Sequence, residues 1–366
     1  MIDYLEIKGY KSIKNLELEL KPINILIGSN GVGKSNFISF FKLINAIFNG
    51  RLQKYVLEER ADNLLYFGRK TTENLFGKLI FDSGNNNNNA YFFNLAQTKE
   101  GGLYFEKEGS GFNVSRDSFD DNYYVLYNLL ESNIPSISNE NNFLEGRLNF
   151  QVFHFHDTST TSFLRRECDI NDNLYLKQDG RNLPAFLYLL KINHTKIYNR
   201  IEKTIQSVAP YIDKLILEPN RLDENEIALR WIDKGDPESN FSAYQLSDGT
   251  LRFIALATLL MQPTPPSVII IDEPELGLHP FAIGKLAGMI QVASSKSQVI
   301  VATQSPGLIS KFNPEDIVVI DRSVTENQTV FNRLNSEDLK IWLDEFTLGD
   351  LWERNIINSG QPFVKI

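Results

Sequence analysis

Hydrophobic and polar positions alternate from the first residues. Tyr4-Leu5-Glu6-Ile7 and Leu16-Glu17-Leu18-Glu19-Leu20 read as paired strands, and the almost wholly apolar Ile23 to Ile27 reads as a buried one. The period then changes. From Asn36 onward Phe37, Phe40, Phe41, Ile44, Ile47 and Phe48 recur at helical spacing, until Asn49-Gly50 ends the run. Between about Arg51 and Phe150 short strand-like segments, such as Lys78 to Phe81 and Ala90 to Leu95, alternate with polar loops; the run Asn85 to Asn89 reads as a loop tip. Asn182 to Val208 is predicted helical, with Leu183, Phe186, Leu187, Leu190, Ile197, Ile201 and Ile205 on a buried face. Strands are predicted over Lys214 to Leu217 and Ile227 to Ile232. Next come a helix (Thr250 to Met261), a proline-rich break, a strand (Val268 to Ile271), a helix (Pro280 to Ala293) and a strand (Gln298 to Thr303). Such alternation predicts an α/β fold with a mostly parallel sheet covered by helices on both faces.

Composition changes this picture little. The 366 residues are 42% hydrophobic and 23% charged, as expected for a chain that buries a large core, and no apolar run approaches membrane-spanning length. Met1 to Ile7 lacks the basic-then-apolar order of a signal peptide, so export is not expected. Cys168 is the single cysteine, which excludes an internal disulfide and fits a reducing cytoplasm. A net charge of -9 argues against a surface coated for non-specific nucleic-acid binding. The pairs Arg69-Lys70 and Arg165-Arg166 read as ordinary solvated surface.

Chemistry enters at Gly28-Ser29-Asn30-Gly31-Val32-Gly33-Lys34-Ser35, a full GxxxxGK[ST] pattern. Gly31 and Gly33 let backbone N–H groups, Asn30 included, curl around phosphate oxygens. Lys34 neutralises the terminal phosphates of ATP, Ser35 offers a hydroxyl to Mg2+, and the helix through Asn36 adds its dipole. A glycine-rich turn before any helix would share this composition, but here a buried strand precedes it and an amphipathic helix follows. Ser267 to Ile271 is a second buried strand that ends in Asp272-Glu273. In such a pairing Asp272 holds Mg2+ and Glu273 orients or deprotonates the attacking water. Leu246-Ser247-Asp248-Gly249-Thr250, one helix before this strand, resembles the LSGG signature of ABC ATPases with Asp248 in place of the first glycine, and by itself it reads equally well as a helix entry capped by Ser or Asp.

With Asp272-Glu273-Pro274-Glu275-Leu276-Gly277-Leu278-His279-Pro280 added, the chain resembles ABC-class P-loop ATPases of the RecF, SMC and OLD-like group. The resemblance covers roughly the first 45 residues and the last third up to about Ile320. It implies an ABC-type head with an N-terminal antiparallel β portion and a helical lobe. It also implies that Ser247 and Gly249 of one subunit cap the γ-phosphate held by another, so that ATP closes a homodimer. Ile7-Lys8-Gly9-Tyr10-Lys11-Ser12-Ile13 is similar to the group's opening strand and turn, where a basic residue near Lys11 approaches the phosphates. Ala302-Thr303-Gln304-Ser305-Pro306 stands at its switch loop. The group usually has histidine where this chain has Gln304, which implies slow turnover with Glu273 as the base. Gln97 and Gln151 are both candidates for the Q-loop glutamine. The expected segments are an N-terminal lobe (1–157), a helical lobe with a β pair (158–245), a C-terminal core (246–330) and a helical tail (331–366).

Other groupings carry less. His154 and His156 share a strand face, as metal ligands do, but two histidines without a third ligand more often make hydrogen bonds. Asp344, Glu345, Asp350 and Glu353 fit the wet face of a terminal helix with Leu343, Phe346, Leu351 and Trp352 inward. The roughly 40 residues beyond the core are too few for a nuclease domain, so any nuclease effector is another chain. DNA maintenance or anti-phage defence, with DNA or an effector as partner, is implied by the resemblance alone. A transporter ATPase subunit is the alternative; against it, the spacing from P-loop to signature is about twice what compact subunits of that kind need. An AAA+ remodeller would lack the signature turn.

Overall fold

The computed structural model describes residues 1–81, 88–112, 114, 123–133 and 150–357. Positions 85–87 of the asparagine run and 358–366 of the tail lie outside these described residues. The chain opens with β1 (Ile2–Tyr10), β2 (Ile13–Glu19) and β3 (Ile23–Ile27), followed by α1 (Lys34–Phe48), α2 (Leu52–Glu59) and α3 (Ala61–Leu64). Next are β4 (Asn74–Phe81), β5 (Asn89–Gln97), β6 (Leu103–Phe112), β7 (Tyr123–Leu129), β8 (Phe150–Phe153) and the short β9 (Cys168–Asp169). The helical lobe is α4 (Leu183–Asn193) and α5 (Thr195–Val208), leading to β10 (Ile212–Ile216), β11 (Glu226–Ile227), β12 (Arg230–Asp233) and β13 (Asp236–Ser242). Then come α6 (Asp248–Met261), β14 (Val268–Asp272), α7 (Pro280–Ala293), β15 (Gln298–Thr303), α8 (Pro306–Ile309), β16 (Ile317–Ser323), β17 (Gln328–Arg333), α9 (Ser336–Leu343) and α10 (Leu348–Glu353).

Two six-stranded sheets organise these elements. One is antiparallel, in the order β2-β1-β4-β5-β6-β7; the other runs β17-β16-β3-β15-β14-β8 and is parallel except for β17. The parallel sheet is buried on both faces, as its near-continuous apolar strands require. Leu26, Val152, Ile270 and Ile300 face α1 and the antiparallel sheet, while Ile25, Ile27, Ile271 and Val301 face the helical lobe, α6 and α7. Rings on α1 fill the space between the sheets: Phe40 meets Tyr10 edge-on at 5.3 Å and stacks on Phe93 at 6.1 Å, and Phe41 meets Phe150 at 6.3 Å. A buried amide joins the two sheets. Gln298 accepts from the Ile2 N–H (3.1 Å) and donates to the Ile2 carbonyl (2.7 Å) and the Lys21 carbonyl (3.0 Å).

Three local expectations need correction. Ile227 to Ile232 is not one strand: β11 pairs with β9 while β12 pairs with β10 and β13, because each half finds a different partner. The terminal acids do not line one helix. Residues 344–347 break it, since Thr347 caps α10 and the Asp350 carboxylate accepts from the Thr347 N–H in return. Arg165 is not solvated surface but is buried at 7% exposure, with its guanidinium inside the fold. Replacing Gln298 by Ala removes the partner of two buried backbone groups of Ile2 and of the half-buried Lys21 carbonyl, and should cost about 2 kcal/mol in urea unfolding; a loss within experimental error would show that the two sheets are joined by apolar packing alone.

Candidate functional site

Parallel hydrogen bonding sets where the strands end. Thr303 of β15 pairs with Ile27 of β3, and Asp272 of β14 pairs with Ala302 of β15, so the three strands finish side by side. Ligands of open α/β sheets bind outside such carboxyl ends. The loop 28–33 leaves β3, Gln304 leaves β15, and Asp272-Glu273 closes β14. Gln304 lies between the other two: its amide donates to Asn30 Oδ1 at 2.6 Å and to Glu273 Oε1 at 3.2 Å. Glu273 holds φ 39°, a left-handed backbone uncommon for a residue with a side chain, while its N–H still bonds the Ala302 carbonyl at 2.7 Å. That turn sends the chain from the strand into Pro274 to His279.

The loop fits a phosphate cradle. Gly31 (φ 82°) and Gly33 (φ 122°) adopt backbone that side chains rarely tolerate, and a Cβ at Gly31 would meet nothing within 4 Å, which leaves the concave side open. Lys34 is buried to 7% exposure and donates to the Gly28 and Ser29 carbonyls, the latter at 3.0 Å. Burial lowers its pKa, opposed by Glu273 and then Asp272. Burial likewise pushes the Asp272 carboxyl up, opposed first by the His156 imidazole, with Glu273 adding to the rise. Ser35, exposed at the start of α1, and Asp272 carry oxygen donors of the kind that suits magnesium.

Residues far apart in sequence hold this loop. Thr329 Oγ1 on β17 lies 2.7 Å from Ser12 Oγ and 2.8 Å from the Val32 carbonyl, and Asn36 donates to Ser12 Oγ at 2.7 Å. A Cβ on Gly33 would overlap the Thr329 side chain. Nothing in the sequence flags Thr329, because its partner is about 300 residues away. Lys11 turns elsewhere: its ammonium is 3.7 Å from Glu59, and its neighbour Ser12 is what touches the P-loop. Gln97 ends β5 in the antiparallel sheet and donates to the Arg69 and Thr72 carbonyls. Gln151 lies in β8, opposite Ile269 of β14.

The Leu246–Thr250 turn is built into a second unit. Ser247 caps α6 by accepting from the Thr250 N–H at 3.2 Å, and remains exposed. Arg165 explains the aspartate that follows: it donates to Asp248 at 2.6 Å, to the Thr158 carbonyl at 2.8 Å and to the Ala243 and Leu246 carbonyls. One turn into α6, Arg252 donates to the Phe155 and His156 carbonyls, both at 2.9 Å, and to the Leu276 carbonyl. Gly249 packs so closely on Gly277 that a Cβ would overlap its carbonyl oxygen. None of these bonds runs to the chain's own P-loop. Glu275 is half-buried and accepts from Thr303 Oγ1, and burial raises its pKa.

The family described as "AAA domain, putative AbiEii toxin, Type IV TA system" matches residues 23–310. The chain belongs to that family. It is an ABC-class P-loop ATPase of the RecF/SMC-like group, and ATPases of this kind bind ATP with a divalent metal. Two solved SMC heads share its fold. One, bound to the C-winged helix domain of ScpA, is 16% identical with a TM-score of 0.59, covering 92% of this chain and 98% of that one. The other carries an extended coiled coil, is bound to the C-terminal domain of ScpA derived from Pyrococcus furiosus, and is 15% identical with a TM-score of 0.59, covering 94% and 98%. Among curated proteins, the phosphate import ATP-binding protein PstB of Mycoplasmoides gallisepticum is 25% identical over 135 residues; the match spans 36% of this chain and 41% of that protein.

Among the described residues no group of three or more metal-binding side chains gathers around His154 and His156, whose rings stand 6.3 Å apart. His154 Nε2 is buried without a hydrogen-bond partner. Burial, with Lys42 and His156 nearby, pushes its imidazole down to about 4. The folded ATPase therefore resists a proton that the unfolded chain accepts near pH 6.5, and stability falls as pH drops from about 6.5 towards 4. His154→Gln should flatten that acid limb, read from thermal midpoints at about pH 7.5 and pH 5; an unchanged slope would place its origin elsewhere. Gly249→Ala should push the 276–278 loop outward and slow hydrolysis on the order of tenfold or more, while ATP binding to the isolated chain stays within about twofold; full activity would contradict the close packing on Gly277.

Proposed function

We propose that two copies of the chain close head-to-head on ATP, each P-loop being capped by Ser247 and Gly249 of the other subunit, and that hydrolysis reopens them. The observation that supports this reading is the division of the chain into two separately braced parts. Lys34, Asp272, Glu273 and Gln304 converge at the strand ends, while the exposed Ser247 turn is held on Arg165 and Arg252 and makes no bond to the P-loop of its own chain. In this reading the cap comes from a second copy.

In this scheme Asn30, Gly31, Gly33, Lys34, Ser35 and Asn36 hold the triphosphate, the first four through backbone N–H groups and the Lys34 ammonium. Magnesium held by Ser35 and Asp272 would neutralise charge on the phosphates. Glu273 accepts the proton of the attacking water, and Gln304 orients the Glu273 carboxylate through the 3.2 Å contact. Gln304 donates hydrogen bonds but takes up no proton, which fits slow turnover and a long-lived closed state. Lys11, tied to Glu59, would reach phosphate only by exchanging that partner.

The closed dimer acts in this reading as a timed signal to DNA or to an effector such as a nuclease, in DNA maintenance or phage defence. The toxin–antitoxin wording of the family description, and the ScpA partner of the similar SMC heads, support a protein partner for this chain. The short similarity to PstB raises a transporter role. The six-stranded antiparallel sheet and the helical lobe between P-loop and signature speak against it, and no helix of the described residues is long and apolar enough to cross a membrane.

Glu273→Gln should accumulate a dimer in size-exclusion chromatography with ATP but not with ADP. Adding Ser247→Arg should return it to monomer while each subunit still binds ATP. A Glu273→Gln chain that stays monomeric with ATP bound would sink the proposal.

A further inference from the structure

A trough of about 500 Å³ runs between α5 and α7, on the side of α7 away from the parallel sheet, with the end of α6 as its floor. Its bottom is apolar: Leu260 and Met289 are buried there, Ile197 and Met261 are partly covered, and Val292 is 64% exposed at one side. Its rim is cationic. Arg200 and Lys203 project from α5, and Lys285 and Lys296 stand on or just beyond α7; no aspartate or glutamate lines the trough. None of these four cations forms an ion pair within the described residues, in a chain whose net charge is -9. An apolar floor between two unpaired basic edges is complementary to a helix with an apolar stripe and acidic flanks.

A second observation says how closely that occupant approaches. Gly284 and Gly288 sit one turn apart inside α7 and open into the trough, and a Cβ at either would meet nothing within 4 Å. Glycine inside a helix is destabilising relative to alanine, and no contact within the chain requires these two. What a bare helix surface allows is the near approach of another backbone. The place is also mechanically connected. α7 begins at His279-Pro280, directly after the loop at Gly277 on which the signature turn packs, and α6 carries that turn at its other end.

We propose that this trough docks an acidic amphipathic helix of a partner protein, and that the bound helix is read by the ATPase through α6 and α7. A nucleic acid would use the same cations but has no use for the apolar floor or for the glycine face, so a protein helix is favoured.

The full-length chain can be challenged with a displayed library of helical peptides of about 20 residues, and enriched peptides measured by fluorescence anisotropy. Enriched sequences should be amphipathic and acidic. Their affinity should fall tenfold or more in the Lys203→Glu, Lys285→Glu double variant and again in Gly288→Leu, with basal ATP hydrolysis unchanged. Gly288→Ala should raise the melting temperature yet weaken the same peptides, a combination that a purely structural glycine does not produce. The proposal is overturned if no peptide is enriched, if enriched peptides are basic or lack an apolar stripe, or if the variants bind them as the parent does. It is also overturned if the double variant instead abolishes duplex DNA binding, which gives the face to nucleic acid, or self-association, which gives it to a second copy.

Discussion

The parallel pairing of β3, β15 and β14 is the constraint from which the nucleotide end of the molecule follows. Hydrogen bonds from Val299 to Thr303 lock β15 against β3, and those from Val268 to Asp272 lock β14 against β15. Strands in fixed register end in a fixed row, so the glycine loop, Gln304 and the two acids cannot drift apart without breaking a ladder buried on both faces. The amide of Gln304 then spans a gap that backbone geometry has already set. Tight turns complete the arrangement, with Glu273 in a left-handed conformation and its carboxylate accepting from Gln304.

A different interaction governs the Ser247 turn. Two guanidiniums, each with under a tenth of its surface exposed, hold carbonyl oxygens from segments that are otherwise loops. Buried cations are costly unless their donors are satisfied, and here the carbonyls of Thr158, Ala243, Leu246, Phe155, His156 and Leu276 satisfy them. Arg252 thereby ties α6 to the 276–278 loop and to the chain after β8. His156, whose charge opposes the rise in the Asp272 pKa, is joined through its carbonyl to Arg252 on the helix that Ser247 caps.

How much was legible depends on the range of the interaction. The glycine loop, the acid pair, and the boundaries of α7 and β15 are written in local pattern, because a helix period, a buried run of β-branched residues and a proline or glycine at an end act over a few residues. The residues that clamp the loop and the signature turn gave no such signal. Arg165 and Thr329 look like surface residues in any window. Only the meeting of β17 with Ser12, or of the 163–165 turn with the 243–248 segment, gives them work.

By itself, then, the amino-acid order determined the alternation of elements, the covered parallel sheet and the chemistry available at the strand ends, since periodicity and side-chain type depend on near neighbours. Tertiary structure alone decided that Gln304 bridges Asn30 and Glu273, that Lys11 spends its charge on Glu59, and that the segment after Ile227 divides between two partners. It also decided that a basic, apolar trough opens behind α7. These are contests among groups distant in the chain, and they are resolved only when burial and hydrogen-bond satisfaction are settled for the whole molecule at once.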